Sequence, residues 1–372
     1  MTTPMHRLDE HMRKMQAWHG ARQSGRQAAL ATVADVQGSS YRKLGASLLL
    51  TEDGSRIGSV SGGCLETDIA RKAFWWLADR DFYLKTYDTR SADDGFGLGC
   101  GGTIALLIER LADDETNPLT VAQRVRELRQ PAVIATNITG ADIGNRNIFF
   151  STRAFDNTNQ EESSMQEAAA KTARSGCSSV VATNEGRVLL QVVESPIHLI
   201  ICGGGFDAQP LVRFAASLGW MITVVDQRPD FAQSRRFPEA QRVFAVQQAE
   251  AMQEIRFDSR TALVIMTHSF AQDLFFLEQS AKLGLRYVGL MGARARTESL
   301  LAEASAIPPL ETLHAPIGLD LGSETSEEIA LAIVAEITAC FRKNAVPHVM
   351  RRQKYDVRRR ATDPNTAAVS QR

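Results

Sequence analysis

The sequence predicts an α/β protein in which a C-terminal Rossmann-like, doubly wound parallel sheet follows a β-rich α+β N-terminal domain. From His198 onward short apolar strands alternate with helices, and a glycine-rich turn joins the first strand to the first helix. The preceding half carries strand runs separated by hairpin and turn signals. We expect an N-terminal helical segment over 1–26, the α+β domain over 27–196, the Rossmann-like domain over 197–345, and a basic, disordered tail over 346–372.

Composition excludes several classes of protein. The 372 residues, 44% hydrophobic and 23% charged, suffice for two domains with their own cores. Because 42 basic side chains face 43 acidic ones, no global field favours nucleic acid or an anionic membrane. The N-terminal residues lack the apolar core of a secretory signal, and no apolar run is long enough to span a bilayer. We expect a cytoplasmic protein that binds neither nucleic acid nor membrane.

The first half reads as a β-rich layer that leads into an amphipathic helix. Strands are expected at "AALATVADV", at "ASLLLT" and, after the hairpin tetrad "EDGS", at "RIGSV". The glycine pair in "SGGCLETDIARKAFWWLAD" precedes apolar residues with helical spacing. Further strands are expected at "IALLIERL", "PAVIATNIT" and "RVLLQVVE". The polar stretch from Ser151 to Ser178 is interpreted as an insertion or mobile loop.

In the second half, strands are expected at "HLIIC", "MITVVD", "RVFAV", "ALVIMT" and "RYVGLM". Helices follow the first, fourth and fifth of them, as in a parallel sheet with crossover connections. The last helix lies in "TSEEIALAIVAEITACFRK". It starts at a capping box formed by Thr325 and Glu328.

The turn after the first of these strands fits G-x-G-x-x-A at Gly203, Gly205 and Ala208. Its glycines permit a tight turn and the approach of a phosphate to the helix N-terminus. Asp226 ends the second strand, where an acidic side chain can accept from ribose hydroxyls. Such turns also occur for steric reasons alone, so the pattern indicates nucleotide or pyrophosphate binding without implying hydride transfer. Asp207, just inside the helix, would repel a diphosphate if it pointed inward.

Cationic and histidine side chains add to the candidates. His268 follows the fourth strand, and Arg294 and Arg296 follow the fifth, so they lie where a doubly wound sheet forms its ligand crevice. A structural histidine and solvated arginines remain the alternatives. In the first half, Arg42 lies in the turn-rich "GSSYRKLGA".

The five cysteines are scattered and form no CxxC pair, which argues against a disulfide framework or a structural zinc site. Cys177, Cys202 and Cys340 are interpreted as small buried apolar residues. Cys64 follows paired glycines at a helix start, and Cys100 lies in the loop "GFGLGCGGT". A helix N-terminus favours the thiolate, which is a nucleophile and a soft metal ligand. Both residues are therefore candidate site thiols.

A family resemblance covers roughly Gln27 to Arg342. The motifs "GSSYRKLGA", "GSVSGGCLE", "GCGG", "GGGFDAQPLV", "MTHSFAQD", "GLMGARARTE" and "APIGLDLGSETSEEIALAIVAEI" occur in this order. Together they resemble the XdhC/CoxI family of accessory proteins for molybdenum hydroxylases such as xanthine dehydrogenase. The cysteine motifs of that family fall here on Ser61, Gly62, Gly63, Cys64, Glu66, Cys100, Gly101 and Gly102.

The resemblance implies a maturation factor rather than an enzyme. Such proteins bind molybdenum cofactor, as molybdopterin or its dinucleotide form, support its sulfuration by a cysteine desulfurase, and pass it to the apo-hydroxylase. On this reading, Cys64 and Cys100 provide thiolates near the molybdenum. The glycine-loop amides and Arg294 or Arg296 hold phosphate. A homodimer is also expected.

A departure from the family pattern bears on cofactor binding, and two other functions remain alternatives. The family's mid-chain loop usually reads G-A-G-H, whereas Phe206 stands at the last position here, so a histidine contact to phosphate or pterin is lost. An NAD(P)-dependent oxidoreductase is the first alternative. The G-x-G-x-x-A pattern and Asp226 favour this alternative. The lack of a recognisable acid/base pair for hydride transfer argues against it. The second is an adaptor that docks a hydroxylase and a desulfurase without holding cofactor.

Overall fold

The structure is a computed structural model that describes residues 10–38, 40–88, 102–150 and 164–342. The chain divides into two compact units. The first runs to Ile197 and includes Ala216–Trp220; the second comprises His198–Ala215 and the chain from Met221 onward. The basic tail expected over 346–372 lies outside the described residues, as do Cys100 and Gly101.

A five-stranded antiparallel sheet with the order β3-β2-β1-β5-β4 forms the first layer of the first unit. Its strands are β1 (Ala28–Gln37), β2 (Ser47–Thr51), β3 (Arg56–Gly58), β4 (Phe82–Asp88) and β5 (Thr103–Arg110). Helix α1 (Glu10–Gln23) buries Trp18 in one apolar cluster with Leu30 and Leu49. Helix α2 (Cys64–Trp76) shares another cluster with the sheet through Leu65 and Ile69. The sheet therefore has apolar packing on both faces, and α2 begins at the predicted cysteine.

A second, four-stranded sheet with the order β7-β6-β9-β8 follows in the same unit. This part of the chain comprises, in order, α3 (Pro118–Leu128), β6 (Ala132–Asn137), β7 (Arg146–Phe150), α4 (Ser164–Ser175), β8 (Ser179–Thr183) and β9 (Gly186–Val193). The expected strands "PAVIATNIT" and "RVLLQVVE" become β6 and β9, which pair with each other. The loop interpretation was wrong for α4, whose buried face consists of Ala169, Ala170 and Thr172. Such small residues give a weak hydrophobic signal.

Two ion pairs join these sheets. Glu109 on β5 accepts from Arg146 on β7 at 2.7 Å, and both side chains are almost fully buried. Asp35 on β1 accepts from Arg187 on β9 at 2.8 Å. Burial raises the pKa of the Glu109 carboxyl, and the guanidinium of Arg146 opposes that shift. The first unit thus holds a paired charge in its interior, where removal of one partner is costly.

The second unit is a Rossmann-like layer of six parallel strands in the order β12-β11-β10-β13-β14-β15. The strands are β10 (His198–Cys202), β11 (Met221–Val225), β12 (Arg242–Phe244), β13 (Thr261–Ile265), β14 (Tyr287–Leu290) and β15 (Leu313–His314). The helices are α5 (Ala208–Ser217), α6 (Gln248–Glu254), α7 (Phe270–Ser280), α8 (Arg294–Glu303) and α9 (Ser326–Phe341). This strand order is typical of dinucleotide-binding folds and confirms the predicted class. Its topological switch point lies between β10 and β13.

The predicted start of α9 is confirmed at its capping box. The Thr325 side chain accepts from the backbone N–H of Glu328, whose carboxylate accepts from the backbone N–H of Thr325. Over the described ranges, no helix combines the length and the apolar character needed to cross a membrane.

Candidate functional site

In the first unit, the turn before α2 wraps the carboxylate of Glu66. Oε1 accepts from the Ser59 hydroxyl at 2.7 Å and from the backbone N–H groups of Val60 and Ser61 at 3.0 and 2.8 Å. Oε2 accepts from the backbone N–H of Gly63 at 3.1 Å and from the Ser61 hydroxyl. Glu66 is 8% exposed. Its carboxylate is therefore committed to the turn itself.

Glu66 carries its charge in this turn. Burial disfavours the ionised carboxylate, but the hydrogen bonds from Ser61 and Ser59 outweigh that cost and lower the pKa of Glu66 to about 2. Because Glu66 lies in the first turn of α2, the anion-favouring end of the helix already holds one carboxylate.

The glycines of the turn leave its outer side open. Gly63 has φ of 115°, a left-handed conformation that other residues adopt only with strain. A Cβ added at Gly62 or Gly63 would meet no other described atom within 4 Å. The structure thus brings Ser61, Gly62, Gly63 and Glu66 together at the start of α2, and Cys64 is the first residue of that helix.

Arg42 lies in the turn between β1 and β2. Its guanidinium lies 5.5 Å from the ring centroid of the exposed Tyr41, and its carbonyl accepts from the Ser40 hydroxyl at 2.8 Å. In the described part of the chain, no hydrogen bond joins Arg42 to the Ser61–Gly63 turn.

In the second unit, the loop after β10 is tightly fitted at its first two glycines and open at the third. A Cβ at Gly203, which has φ of 119°, would lie 2.3 Å from the carbonyl oxygen of Met266. One at Gly204 would lie 2.5 Å from the carbonyl oxygen of Phe231, whereas one at Gly205 would meet no described atom within 4 Å. Steric contacts therefore require glycine at the first two positions, and the third offers its backbone to a ligand.

Asp226, at the end of β11, is fully engaged. Its Oδ1 accepts from the backbone N–H and the Nε of Arg228, both at 2.9 Å. Its Oδ2 accepts from Nη2 of Arg228 at 2.7 Å and from the backbone N–H of Gly204 at 2.8 Å. Burial opposes the charge, yet these bonds lower the pKa of the Asp226 carboxyl. A ribose hydroxyl would have to displace one of these donors.

Two arginines that the sequence analysis missed lie beside this loop. Arg236 donates to the carbonyls of Gly204 and Phe231 at 2.7 and 2.9 Å, and its guanidinium lies 5.6 Å from the Phe206 ring centroid. Phe206 is 77% exposed. Arg228 lies 3.9 Å from the Phe231 ring centroid. The available signal was "DQRPDFAQSRRF", in which arginines and aromatic residues follow the end of β11.

On the other side of the switch point, His268 follows β13 in an unusual backbone conformation. It is exposed and has φ of 60°, a left-handed value that costs a non-glycine residue about 1 kcal/mol. The turn is held by the buried Asp273, which accepts from the hydroxyl and backbone N–H of Thr267 at 2.5 and 3.1 Å. Arg296 donates to the other oxygen of Asp273 at 2.6 Å. Arg296 thus braces the turn that carries His268.

The remaining charged candidates are Arg294 and Asp207, and each has a partner of its own. Arg294 is 76% exposed in its side chain and lies 3.5 Å from Glu298 one helical turn along α8. Asp207 accepts a hydrogen bond from the Ser326 hydroxyl at the start of α9, so its charge is engaged away from the open glycine. The structure therefore gathers Gly203, Gly205, Asp226, His268, Arg294 and Arg296 at the carboxyl edge of the sheet.

The cysteine expectations were partly wrong. Cys202 is buried, which raises the pKa of its thiol well above the ordinary value. Cys177, however, is exposed, because it lies in the turn after α4 rather than on an apolar face. Cys340 is only partly buried and contacts His314.

A polar cavity of about 580 Å³ lies elsewhere in the first unit. Glu109 and Arg146 line it, and none of the predicted site residues does. The glycine turns therefore remain the candidate binding features.

Both turns lie within regions that match known families. A family described as "XdhC and CoxI family" matches residues 21–88, and one described as "XdhC Rossmann domain" matches residues 199–337. A probable xanthine dehydrogenase subunit from Bacillus subtilis is 31% identical to the chain over 323 residues, covering 86% of this chain and 95% of that protein.

Two further relatives extend over most of the chain. The molybdenum cofactor insertion chaperone PaoD of Escherichia coli is 22% identical over 336 residues, which is 89% of each protein. A crystal structure described as a xanthine dehydrogenase from Bacillus halodurans superposes with a TM-score of 0.69 at 26% identity, covering 90% of this chain and 98% of that one. The predicted resemblance is confirmed: this chain belongs to the XdhC and CoxI family.

Proposed function

We propose that this chain is an accessory protein of a molybdenum hydroxylase, and that it binds molybdenum cofactor as cargo and delivers it to the apo-enzyme. Family membership supports this role, as does the similarity to PaoD, a molybdenum cofactor insertion chaperone. The relatives named as xanthine dehydrogenase, or as part of one, support a link to that class of hydroxylase.

The observation that carries the proposal is the cation beside the open glycine of the second unit. In the described part of the chain, Arg236 contacts carbonyls and aromatic rings but pairs with no carboxylate. Its positive charge lies next to the loop at the start of α5, where a helix N-terminus also favours anions. Gly205 leaves room for a phosphate, and the exposed Phe206 ring offers a surface for a flat heterocycle.

A separate candidate contact is proposed in the first unit. The Ser61–Gly63 turn presents an open backbone beside Cys64, whose thiolate we propose as the contact to molybdenum. Glu66 acts as a positioning residue, because its carboxylate fixes the turn. We include in the proposal sulfuration of the cargo with a cysteine desulfurase, and assembly as a homodimer.

The state of Asp226 argues against an NAD(P)-dependent oxidoreductase. A nicotinamide dinucleotide fold uses the acidic residue at this position to bind ribose hydroxyls. Here all four hydrogen bonds to the carboxylate come from Arg228 and Gly204. The strand order favours a dinucleotide, which molybdenum cofactor can also contain, so the oxidoreductase remains the competing outcome of the test.

The test is anaerobic equilibrium binding of molybdenum cofactor to the full chain, by ultrafiltration and molybdenum analysis, with NAD(H) as competitor. The wild type is compared with Cys64→Ser, with Arg236→Gln, and with Arg213→Gln as control. Arg213 is an exposed arginine of α5 that pairs with Glu327. We expect near-stoichiometric retention, a loss of about tenfold in affinity for Arg236→Gln, and no change for Arg213→Gln.

Parallel arms with the molybdopterin and dinucleotide forms identify the preferred cargo. A drop in Cys64→Ser would support the thiolate contact. Absence of molybdenum retention together with saturable NAD(H) binding would overturn the proposal in favour of the oxidoreductase. If the chain retains neither molybdenum nor NAD(H) but still binds hydroxylase and desulfurase, the result would instead support the adaptor function.

A further inference from the structure

A thiol, an imidazole and a carboxylate lie in series where β15 meets α9. The Sγ of Cys340 lies 3.5 Å from Nε2 of His314. The opposite ring nitrogen, Nδ1, lies 3.1 Å from Oε1 of Glu336. None of these residues belongs to the glycine turns assigned above.

The imidazole and the carboxylate are held in place by further contacts. The ring of Tyr287 stacks on that of His314, with centroids 4.3 Å apart, and its hydroxyl donates to Oε2 of Glu336 at 2.7 Å. The backbone N–H of Gly318 donates to the same oxygen at 2.9 Å. The side chains of His314 and Glu336 are 18% and 15% exposed, and Cys340 is partly buried. The cluster is ordered but accessible.

The geometry suits a nucleophile rather than a metal site. Cys340 and Glu336 contact opposite nitrogens of one ring, so they cannot converge on a single ion. Over the described residues, no group of three or more potential ligands is arranged to hold a metal. A thiol beside an imidazole that is oriented by a carboxylate is instead the arrangement that activates a cysteine nucleophile.

The charges around the thiol favour this activation. Burial of His314 opposes its protonation, but the hydrogen bonds to Cys340 and Glu336 outweigh it and raise the pKa of His314 to about 9. The pKa of Glu336 is lowered despite its burial, chiefly by His314. Burial raises the pKa of Tyr287 well above the ordinary value, so it stays neutral. At neutral pH the thiol therefore faces a protonated imidazole.

We propose that Cys340 is a reactive thiol that attacks the S–S bond of a small disulfide or persulfide. The thiolate sulfur forms a bond to one sulfur of the reagent, the original S–S bond breaks, and its electron pair leaves on the other sulfur as a thiolate. His314 can protonate that leaving group. With a disulfide the product is a mixed disulfide on Cys340; with attack on the outer sulfur of a persulfide it is a Cys340 persulfide. In both cases the S–S reagent is the oxidant, and no other is needed.

An S–S bond fits this site better than an acyl group does. Acyl transfer requires N–H donors aimed at a developing oxyanion. The N–H of Gly318 is directed instead to Glu336. Attack on sulfur develops charge on the sulfur atoms in line and requires no such donors. The inference is independent of the cargo-binding role.

The other described cysteines provide internal controls. Cys177 is exposed, and Cys202 is buried, which raises the pKa of its thiol. The full chain is treated with oxidised glutathione, or in a second arm with glutathione persulfide, and modification of each cysteine is followed over time by peptide mass spectrometry. At pH 6.5 we expect Cys340 to react about fivefold faster than the more exposed Cys177, because His314 lies 3.5 Å from its sulfur and can protonate the departing thiolate.

A matched variant decides the assignment. His314→Gln should lower the Cys340 rate about tenfold at pH 6.5 and leave Cys177 unchanged. If His314→Gln also exposes Cys202, the variant is unfolded, and the ratio of the Cys340 and Cys177 rates in the wild type alone decides. A wild-type Cys340 rate no higher than that of Cys177, or a Cys340 rate that survives His314→Gln in the folded chain, would overturn the proposal.

Discussion

The two glycine turns share a construction but differ in charge. Each precedes a helix, each contains an open glycine, and each donates a backbone N–H to a buried carboxylate. In the first unit that carboxylate is Glu66, which is held by hydroxyls and amides. In the second it is Asp226, which is paired with Arg228. Arg236 then adds a further cation.

This difference separates what the two turns can bind. In the Glu66 turn, the helix N-terminus already stabilises the carboxylate of Glu66, so a bound phosphate would be repelled by that negative charge. The Asp226 turn has neutralised its carboxylate and keeps the charge of Arg236 available. The glycine turn of the first unit is therefore held in place by its own carboxylate, whereas the glycine turn of the second unit is a candidate anion site.

The largest effect is expected at Gly203. Gly203→Ala forces a Cβ to within 2.3 Å of the Met266 carbonyl and strains a residue with φ of 119°. We expect a loss of about 4 kcal/mol in the free energy of unfolding of the second unit, or failure to fold. Gly205→Ala, which meets no described neighbour, should change stability by less than about 0.5 kcal/mol. Denaturant unfolding measures both; equal losses would contradict the steric distinction.

The next effect is the acid dependence of the Glu66 turn. Since folding lowers the pKa of Glu66 from 4.5 to about 2, its contribution is fully present above pH 4.5 and is lost as the pH falls towards 2. We expect Glu66→Gln to cost about 3 kcal/mol at pH 7 and to flatten the stability profile between these pH values.

Asp226→Asn is the matched variant in the other turn. It should cost less, about 1 to 2 kcal/mol, because Arg228 is half-exposed and can return to water. Urea unfolding at several pH values compares the two variants. An unchanged acid limb in Glu66→Gln would show that the turn is not held by this charge.

The smallest effect on stability is expected at Phe206, where substitution should instead change the affinity for cofactor. Because its side chain is 77% exposed, Phe206→Ala and Phe206→His should leave the free energy of unfolding within about 0.5 kcal/mol of wild type. Phe206→His adds a donor for phosphate and should tighten cofactor binding severalfold, whereas Phe206→Ala should weaken it. Equilibrium binding of molybdenum cofactor checks this. Equal affinities in all three proteins would place the cargo elsewhere.

Elements with a local apolar or capping signal were predictable from the sequence, and several others were not. The Rossmann strands and the cap of α9 were predicted because apolar runs and capping residues signal them locally. The helix α4 was not, since alanines form its buried face. The two-residue β15 was also missed, although it carries His314.

The sequence by itself determined where both turns lie, because glycines directly before a helical apolar pattern are a local signal. Only the tertiary structure decided their charge. Arg236 reaches Gly204 from 32 residues away, and His314 reaches Cys340 across 26. Such pairings depend on which strand ends the sheet brings to one edge and which helix packs beside them. Local patterns do not encode that, because a side chain acts on whatever the fold places within a few ångströms of it.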